Sequence, residues 1–374
     1  MRNLIRGRAF IGGRFHDACV VHVAGGKITR VDIDVPEAGD PEELIVPGFV
    51  DMHVHGGAGA DFMDGSAAAA IAVAEFHARH GTTALAATTI SAPRSAITRA
   101  IVSIDEARRR DVGGCAEIVA IHLEGPYLAP ARCGAHAKEE LRPPDESEVE
   151  EWLSNGAVPA WLMTIAPEIE GARALIDRFA GRIAFSAGHT GAGFSEMLDA
   201  AGAGVRHATH LLNAMAQFQQ REPGIFGALV VTEALTAEVV ADGVHLHPVT
   251  LQICARLLGE RLALVTDANR AAGAPDGRYE LGGAPIVVSA GVARTEKGAL
   301  AGSTLTMDRA VRNMVELAGV HIERVVPMAT ELPARLLGVG DRKGRIEEGY
   351  EADLVVLSPR LEVKQVFARG HEVE

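Results

Sequence analysis

From residue 45 onward, short apolar runs rich in β-formers alternate with longer Ala-, Leu- and Arg-rich stretches of helical period. The runs read IVPGFVDMHVH, TTALAATTIS, AEIVAIHLEGP, AWLMTIAPE, RIAFSAGHT, VRHATHLLNAM, TAEVVADGVHLH and LALVTDAN. Each is followed by a helix-like or loop-like stretch. Eight such units predict an α/β fold, a TIM-type (β/α)8 barrel. The flanks have another rhythm. NLIRGRAFIGGRF and CVVHVAGGKITRVDID alternate apolar and polar residues around Gly-Gly, as hairpins do. The C-terminal GRIEEGYEADLVVLSPRLEVKQVFARGHEV repeats that style. The two ends, 1–46 and 339–374, are therefore expected to pair into a small β-sandwich domain beside a barrel at 47–338.

Composition narrows the field. The 374 residues carry a formal net charge of −13, which argues against nucleic acid or an anionic membrane as a partner. It does not exclude a small anion, since a local Arg/His cluster binds phosphate within an acidic protein. No uninterrupted apolar run approaches the roughly 20 residues that span a bilayer. The N-terminus shows no apolar signal core. Cys19, Cys115, Cys133 and Cys254 lie far apart and look like reduced thiols of a cytoplasmic protein.

The chemistry gathers at strand ends, where barrel enzymes keep it. His53 and His55 stand one residue apart, so in a strand both imidazoles face the same way and form a chelate for a divalent metal. Glu124 closes the run IVAIHLEGP, with His122 on its face, and a carboxylate ending an apolar strand is costly unless paired or ligated. His189 and His210 end the fifth and sixth runs. Each alone reads as a hydrogen-bonded histidine, but two histidines and an acid with an open position describe a catalytic zinc site. Asp267 ends the eighth run, as either a helix cap or a proton acceptor. Between His53 and Asp267 the only lysine is Lys138, in a loop segment, so a carboxylated lysine bridging two metals has no source there.

The segments HLEGPY, CGAH, GHT, ATHLLNAM, REPG, ADGVH, VTDA and LAGSTLTM resemble the N-acetylglucosamine-6-phosphate deacetylase family of the amidohydrolase superfamily. The resemblance runs from PGFVDMHVHG to GRIEEGYEADLVVL, nearly the whole chain. It implies Glu124, His189 and His210 as primary ligands of a divalent metal, most often Zn2+. Because His53 and His55 are both present, it also implies a second ion bridged by Glu124, hence one or two ions per subunit. His136, beside Ala135, would contact substrate and polarise the acetyl carbonyl. Asn213 and Ala214 would hold the sugar or phosphate.

Arg221 and the segment Asp242, Gly243, Val244 and His245 would grip a 6-phosphate, with Arg221 entering from the neighbouring subunit of a homodimer. Leu300, Ala301 and Gly302 would line the sugar pocket. The expected reaction is deacetylation of a phosphorylated amino sugar, with Asp267 acting as base and then acid. Tyr127 and Asn269 stand where members of the family often carry other side chains, which leaves fine specificity open. The competing readings are an amidohydrolase for another amide and a non-catalytic scaffold; the scaffold should have lost its ligands, and this chain keeps Glu124, His189, His210 and Asp267.

Cys133 precedes His136 by three residues, so a thiol on a closing loop would affect loop order or make activity redox-sensitive. Simple packing predicts instead that Cys133→Ser leaves turnover unchanged. Steady-state kinetics of the two proteins, with and without peroxide, separates these readings.

Overall fold

The apolar runs become eight parallel strands: β1 (Phe49–Val54), β2 (Thr82–Thr89), β3 (Glu117–Glu124), β4 (Ala160–Ile165), β5 (Ala184–Ala187), β6 (Val205–Ala208), β7 (Thr236–Val240) and β8 (Leu262–Val265). The computed structural model describes residues 2–35, 42–110 and 112–374; residues 36–41 of the expected 1–46 segment lie outside it. Consecutive strands pair in parallel register, as βαβ units must. The β1–β8 seam closes through a bridge between Val54 and Ala268 and by Asp267 N–H donating to His53 O at 2.9 Å. Asp51, fully buried in β1, reinforces the seam by accepting from the Thr266 hydroxyl at 2.6 Å.

Helices Ala67–Arg79, Arg94–Arg109, Glu146–Asn155, Ala172–Phe179, Phe194–Ala203, Gly224–Val231, Pro248–Leu258 and Met307–Glu316 cover the outside. Their faces follow helical spacing: Ile97, Ala100, Ile101, Ile104 and Ala107 of Arg94–Arg109 are all buried against the sheet. A side-chain cap sets the start of one of them. Asp145 accepts from Ser147 N–H at 2.7 Å, satisfying an orphan donor at the head of Glu146–Asn155. Among the described residues, no helix is long and apolar enough to cross a membrane.

The eight-unit rhythm did not anticipate one feature. After β8 the chain inserts a three-stranded antiparallel sheet, Gly277–Leu281, Ala284–Ser289 and Val292–Thr295, before Met307–Glu316 begins. Its buried Leu281, Ile286, Val288 and Ala293 pack on Ile90 and Ala301, holding the insert over the C-terminal mouth of the barrel.

The two ends of the chain meet in one seven-stranded sheet. Arg2–Ile11, Arg14–Ala24, Lys27–Asp32 and Leu44–Pro47 join Leu354–Leu357, Val363–Ala368 and His371–Glu372. The sheet folds over on itself: Val21, Val23 and Ile28 from one end share a core with Leu354, Val356 and Phe367 from the other. At the turns, Gly370 lies against the Gly26 backbone, where an added Cβ would come within 3.1 Å.

A buried ion cluster ties this sheet to the barrel. Lys343, 1% exposed, reaches Asp353 at 2.6 Å and Glu117, the first residue of β3, at 2.9 Å. Burial opposes a charge on Glu117, but Arg342 and Lys343 hold its carboxyl down at about 2. Removing one member of such a cluster strands the others without countercharge. Lys343→Ala is therefore expected to lower unfolding free energy by about 3–5 kcal/mol, read from urea denaturation, whereas a surface pair such as Arg173–Asp177 should contribute under about 1 kcal/mol.

Candidate active site

The strand ends at the barrel mouth carry the polar residues, and the backbone bends to aim them. His189, His210 and Asp267 follow β5, β6 and β8 with φ of 49°, 28° and 50°. Non-glycine residues avoid this left-handed region, and such departures gather where function over-determines geometry. Gly302, at φ +59°, lies against Asp267, and a Cβ there would meet Asp267 O at 2.7 Å. Only glycine allows that approach.

These side chains converge on Glu124. Its Oε1 lies 3.1 Å from His210 Nε2, 3.2 Å from His189 Nε2 and 3.5 Å from His53 Nε2. Its Oε2 lies 3.2 Å from His136 Nε2 and 3.3 Å from His55 Nε2. Asp267 Oδ1 stands 3.4 Å from His55 Nε2 and 3.6 Å from His53 Nε2. All seven residues are buried. Among the described residues, two groupings have ligand atoms close enough to hold an ion, His53–His55–Asp267 and Glu124–His136–His189. Tetrahedral zinc with bonds of about 2.0–2.2 Å places its ligand atoms about 3.3–3.6 Å apart, close to the 3.1–3.6 Å spacing seen here, and N/O donors suit that ion. The residues fit a divalent metal.

Electrostatics agrees with the packing. Burial disfavours charge throughout, yet His53 and the other imidazoles hold the Glu124 carboxyl well below its ordinary range. Burial likewise resists charge on His55, but Asp267 and Glu124 lift its imidazole to about 9. His136 goes the other way, pushed down to about 4 chiefly by burial, and so is neutral near pH 7. Ser91 N–H donates to His136 Nδ1 at 3.3 Å, leaving the ring proton on Nε2, toward Glu124.

A cavity of about 340 Å³ opens above this cluster. It is lined by the expected His55, Glu124, Ala135, His136, His189, His210, Asn213, Ala214, His245, Asp267, Leu300 and Gly302. His245 Nδ1 sits 2.7 Å from Asp242 Oδ2; burial opposes its charge, but Asp242 raises its pKa above the ordinary value. Asp242 also accepts from the N–H groups of Val244 and His245, shaping the turn through Gly243. The remaining expected residues stand back from the cavity. His53 lies beneath it, and Ala301 is buried under the insert, where its carbonyl accepts from Asn269 Nδ2 at 2.7 Å. Cys133 is half-buried beside the mouth. Arg221 is exposed on the turn closed by Gln219 and Glu222, outside the lining. Tyr127 packs on Trp152 and donates to Glu148, away from the cavity.

Several residues escaped the sequence reading. Arg132 and Leu281 line the cavity, the latter from the insert. Below the cluster, His122 Nε2 meets the Thr164 hydroxyl at 2.7 Å, so it braces the barrel interior. Glu238, in the middle of β7, is fully buried and touches both His53 and His207. An acid inside TAEVVADG was the available signal, since an unpaired carboxylate in an apolar strand is costly.

With this geometry in view, the comparisons are informative. The chain is 37% identical over 352 residues to an N-acetylgalactosamine-6-phosphate deacetylase of Escherichia coli O157:H7, covering 94% of this chain and 93% of that protein. It is 36% identical over 362 residues to an N-acetylglucosamine-6-phosphate deacetylase of Bacillus subtilis, covering 94% and 91%. Among solved structures, a mutant N-acetyl-D-glucosamine-6-phosphate deacetylase of Mycobacterium smegmatis in complex with N-acetyl-D-glucosamine-6-phosphate superposes with a TM-score of 0.94 at 34% identity, covering 100% of this chain and 99% of that one. The amidohydrolase family profile matches residues 44–373, from the last strand before the barrel nearly to the C-terminus, and the chain belongs to the amidohydrolase family.

Proposed function

We propose that this protein hydrolyses the acetamide of N-acetyl-D-glucosamine 6-phosphate, giving D-glucosamine 6-phosphate and acetate in cytoplasmic amino-sugar metabolism. The observation that carries it is the convergence of Glu124, His189, His210 and Asp267 beneath a cavity that His245 lines from the side. In this reading Glu124, His189 and His210 would hold one Zn2+, and His53 and His55, together with Glu124, would hold a second. A divalent ion there would supply Lewis acidity, lowering the pKa of a nearby water toward about 7 and polarising a carbonyl.

The protein's own groups do the rest. His136 Nε2–H donates to the acetyl oxygen as negative charge builds on it. Asp267, held below the ordinary carboxylate range by His53 and His55 against the effect of burial, is ionised and accepts the proton of the attacking water. The C–N bond breaks as Asp267 returns that proton to the leaving nitrogen. His245, leaning toward its charged form, faces a 6-phosphate together with Asn213 and the Arg132 side of the cavity. Arg221 is exposed and outside its own cavity, which suits a homodimer in which it reaches the neighbour's phosphate.

A second reading has a specific observation behind it, the 37% identity to an N-acetylgalactosamine-6-phosphate deacetylase. The two sugars differ only in the configuration at C4. Acetate release from each phosphorylated sugar, with unphosphorylated N-acetylglucosamine alongside, ranks them. Turnover of the phosphorylated glucosamine derivative by enzyme containing one to two ions per chain is expected; activity on neither phosphorylated sugar with metal bound would sink the proposal.

Asp267→Asn is expected to lower kcat by about 10²–10⁴-fold. Arg221→Ala should raise KM for the phosphorylated sugar by about 10–100-fold with kcat nearly kept. Mixing these two inactive or weakened proteins should restore activity if Arg221 acts across a dimer. Chelator-stripped enzyme should lose acetate release and regain it with Zn2+.

A further inference from the structure

The family reading leaves one fully buried acid without a task. Glu238 sits at the centre of β7, and its exposure is 0%. Its Oε1 lies 2.6 Å from His53 Nδ1 and accepts from His210 N–H at 3.1 Å. Its Oε2 lies 3.2 Å from His207 Nε2, and the Nδ1 of that ring meets the Thr236 hydroxyl at 2.7 Å. Its own carbonyl accepts from Leu211 N–H at 2.8 Å. The carboxylate therefore grips the chain on both sides of His210 and the back of the His53 ring.

The contact with His53 decides a tautomer. In the neutral ring a proton on Nδ1 donates to Glu238 and leaves Nε2 its lone pair, and Nε2 is the atom facing His55, Glu124 and Asp267. A carboxylate behind a ligating imidazole fixes ring orientation and raises its basicity. The partner ring differs: His55 Nδ1 is buried with no hydrogen-bond partner among the described residues, so none of them orients it in the same way. His53 is thus the braced member of the pair.

We propose that Glu238 is a positioning residue for the second ion: it locks His53 with Nε2 toward the site, and through the same oxygen it couples that site to the backbone of His210 in the first. This rests on the two-ion reading above. Glu238 touches neither substrate nor the reacting atoms; it acts through His53. A purely structural role, countercharge for buried histidines, makes a different prediction. It would weaken the fold or both ions together, whereas positioning weakens one ion selectively.

The test is metal analysis and chelator-competition titration with Zn2+ on the parent, Glu238→Gln and Glu238→Asp. The amide keeps the volume and an acceptor but removes the charge, and aspartate keeps the charge but withdraws it by one methylene. If the parent binds two ions, both variants should hold the tighter ion within about threefold while the weaker ion loses about 10–100-fold in affinity. In a His53→Ala background, Glu238→Gln should cause no further loss, because the ring it serves is gone. Two ions bound with parental affinity in both variants overturns the proposal and leaves the two-ion reading intact. A single ion in the parent overturns the two-ion reading and this inference with it. Parallel loss of both ions, or of native circular dichroism in both variants, assigns Glu238 to the fold alone and also overturns the positioning role.

Discussion

A single buried carboxylate organises the molecule. Five imidazole nitrogens lie within 3.1–3.5 Å of the two oxygens of Glu124, and almost no solvent reaches any of them. An isolated carboxylate in that position would lose its protonation contest and become neutral. The ring of histidines prevents this, and its members arrive from separate parts of the chain. His53 and His55 come from the end of β1, His189 and His210 from the ends of β5 and β6, and His136 from the loop after β3. The barrel is the frame that delivers five rings to one point.

Delivery requires local strain and support from below. The left-handed backbone at His189, His210 and Asp267 costs energy at each residue, and neighbouring hydrogen bonds hold it in place. Arg132 O lies 2.8 Å from His189 Nδ1, and Ser303 N–H donates to Asp267 O at 2.7 Å. Beneath the mouth, the barrel interior is polar: Thr164, Ser186 and Thr209 form a chain of hydroxyl contacts at 2.6–2.7 Å that continues to His122. The usual apolar layers of a barrel core give way to this braced floor. Chemistry and framework share side chains at this end of the barrel, whereas the ion cluster around Lys343, at the opposite end of β3, does not touch the site.

The cavity has a divided character that follows from its origins. One wall is barrel-derived, with histidines and acids. The other comes from the insert after β8, where Leu281 and Leu300 present apolar surface and Ala301 anchors the segment through Asn269. A sugar ring with one apolar face and a charged end suits such a pocket. The insert borders the cavity but contributes no candidate ligand.

The sequence by itself determined the eight alternating units, the placement of polar residues at strand ends and the His-x-His pair, because periodicity and strand-end position are local properties of the chain. It also carried the motif set that marks Glu124, His189, His210 and Asp267. It did not reveal the three-stranded insert, whose short alternating runs resemble loop, nor the contacts of Glu238, which reads as a stray acid until β1 and β7 are brought to either side of β8. The contacts themselves were beyond it: residues 53 and 267 become neighbours only when the β1–β8 seam closes. Identity of a ligand is written in its side chain, but its partners are written in the closure of the barrel, and that is a long-range property only the tertiary structure decides.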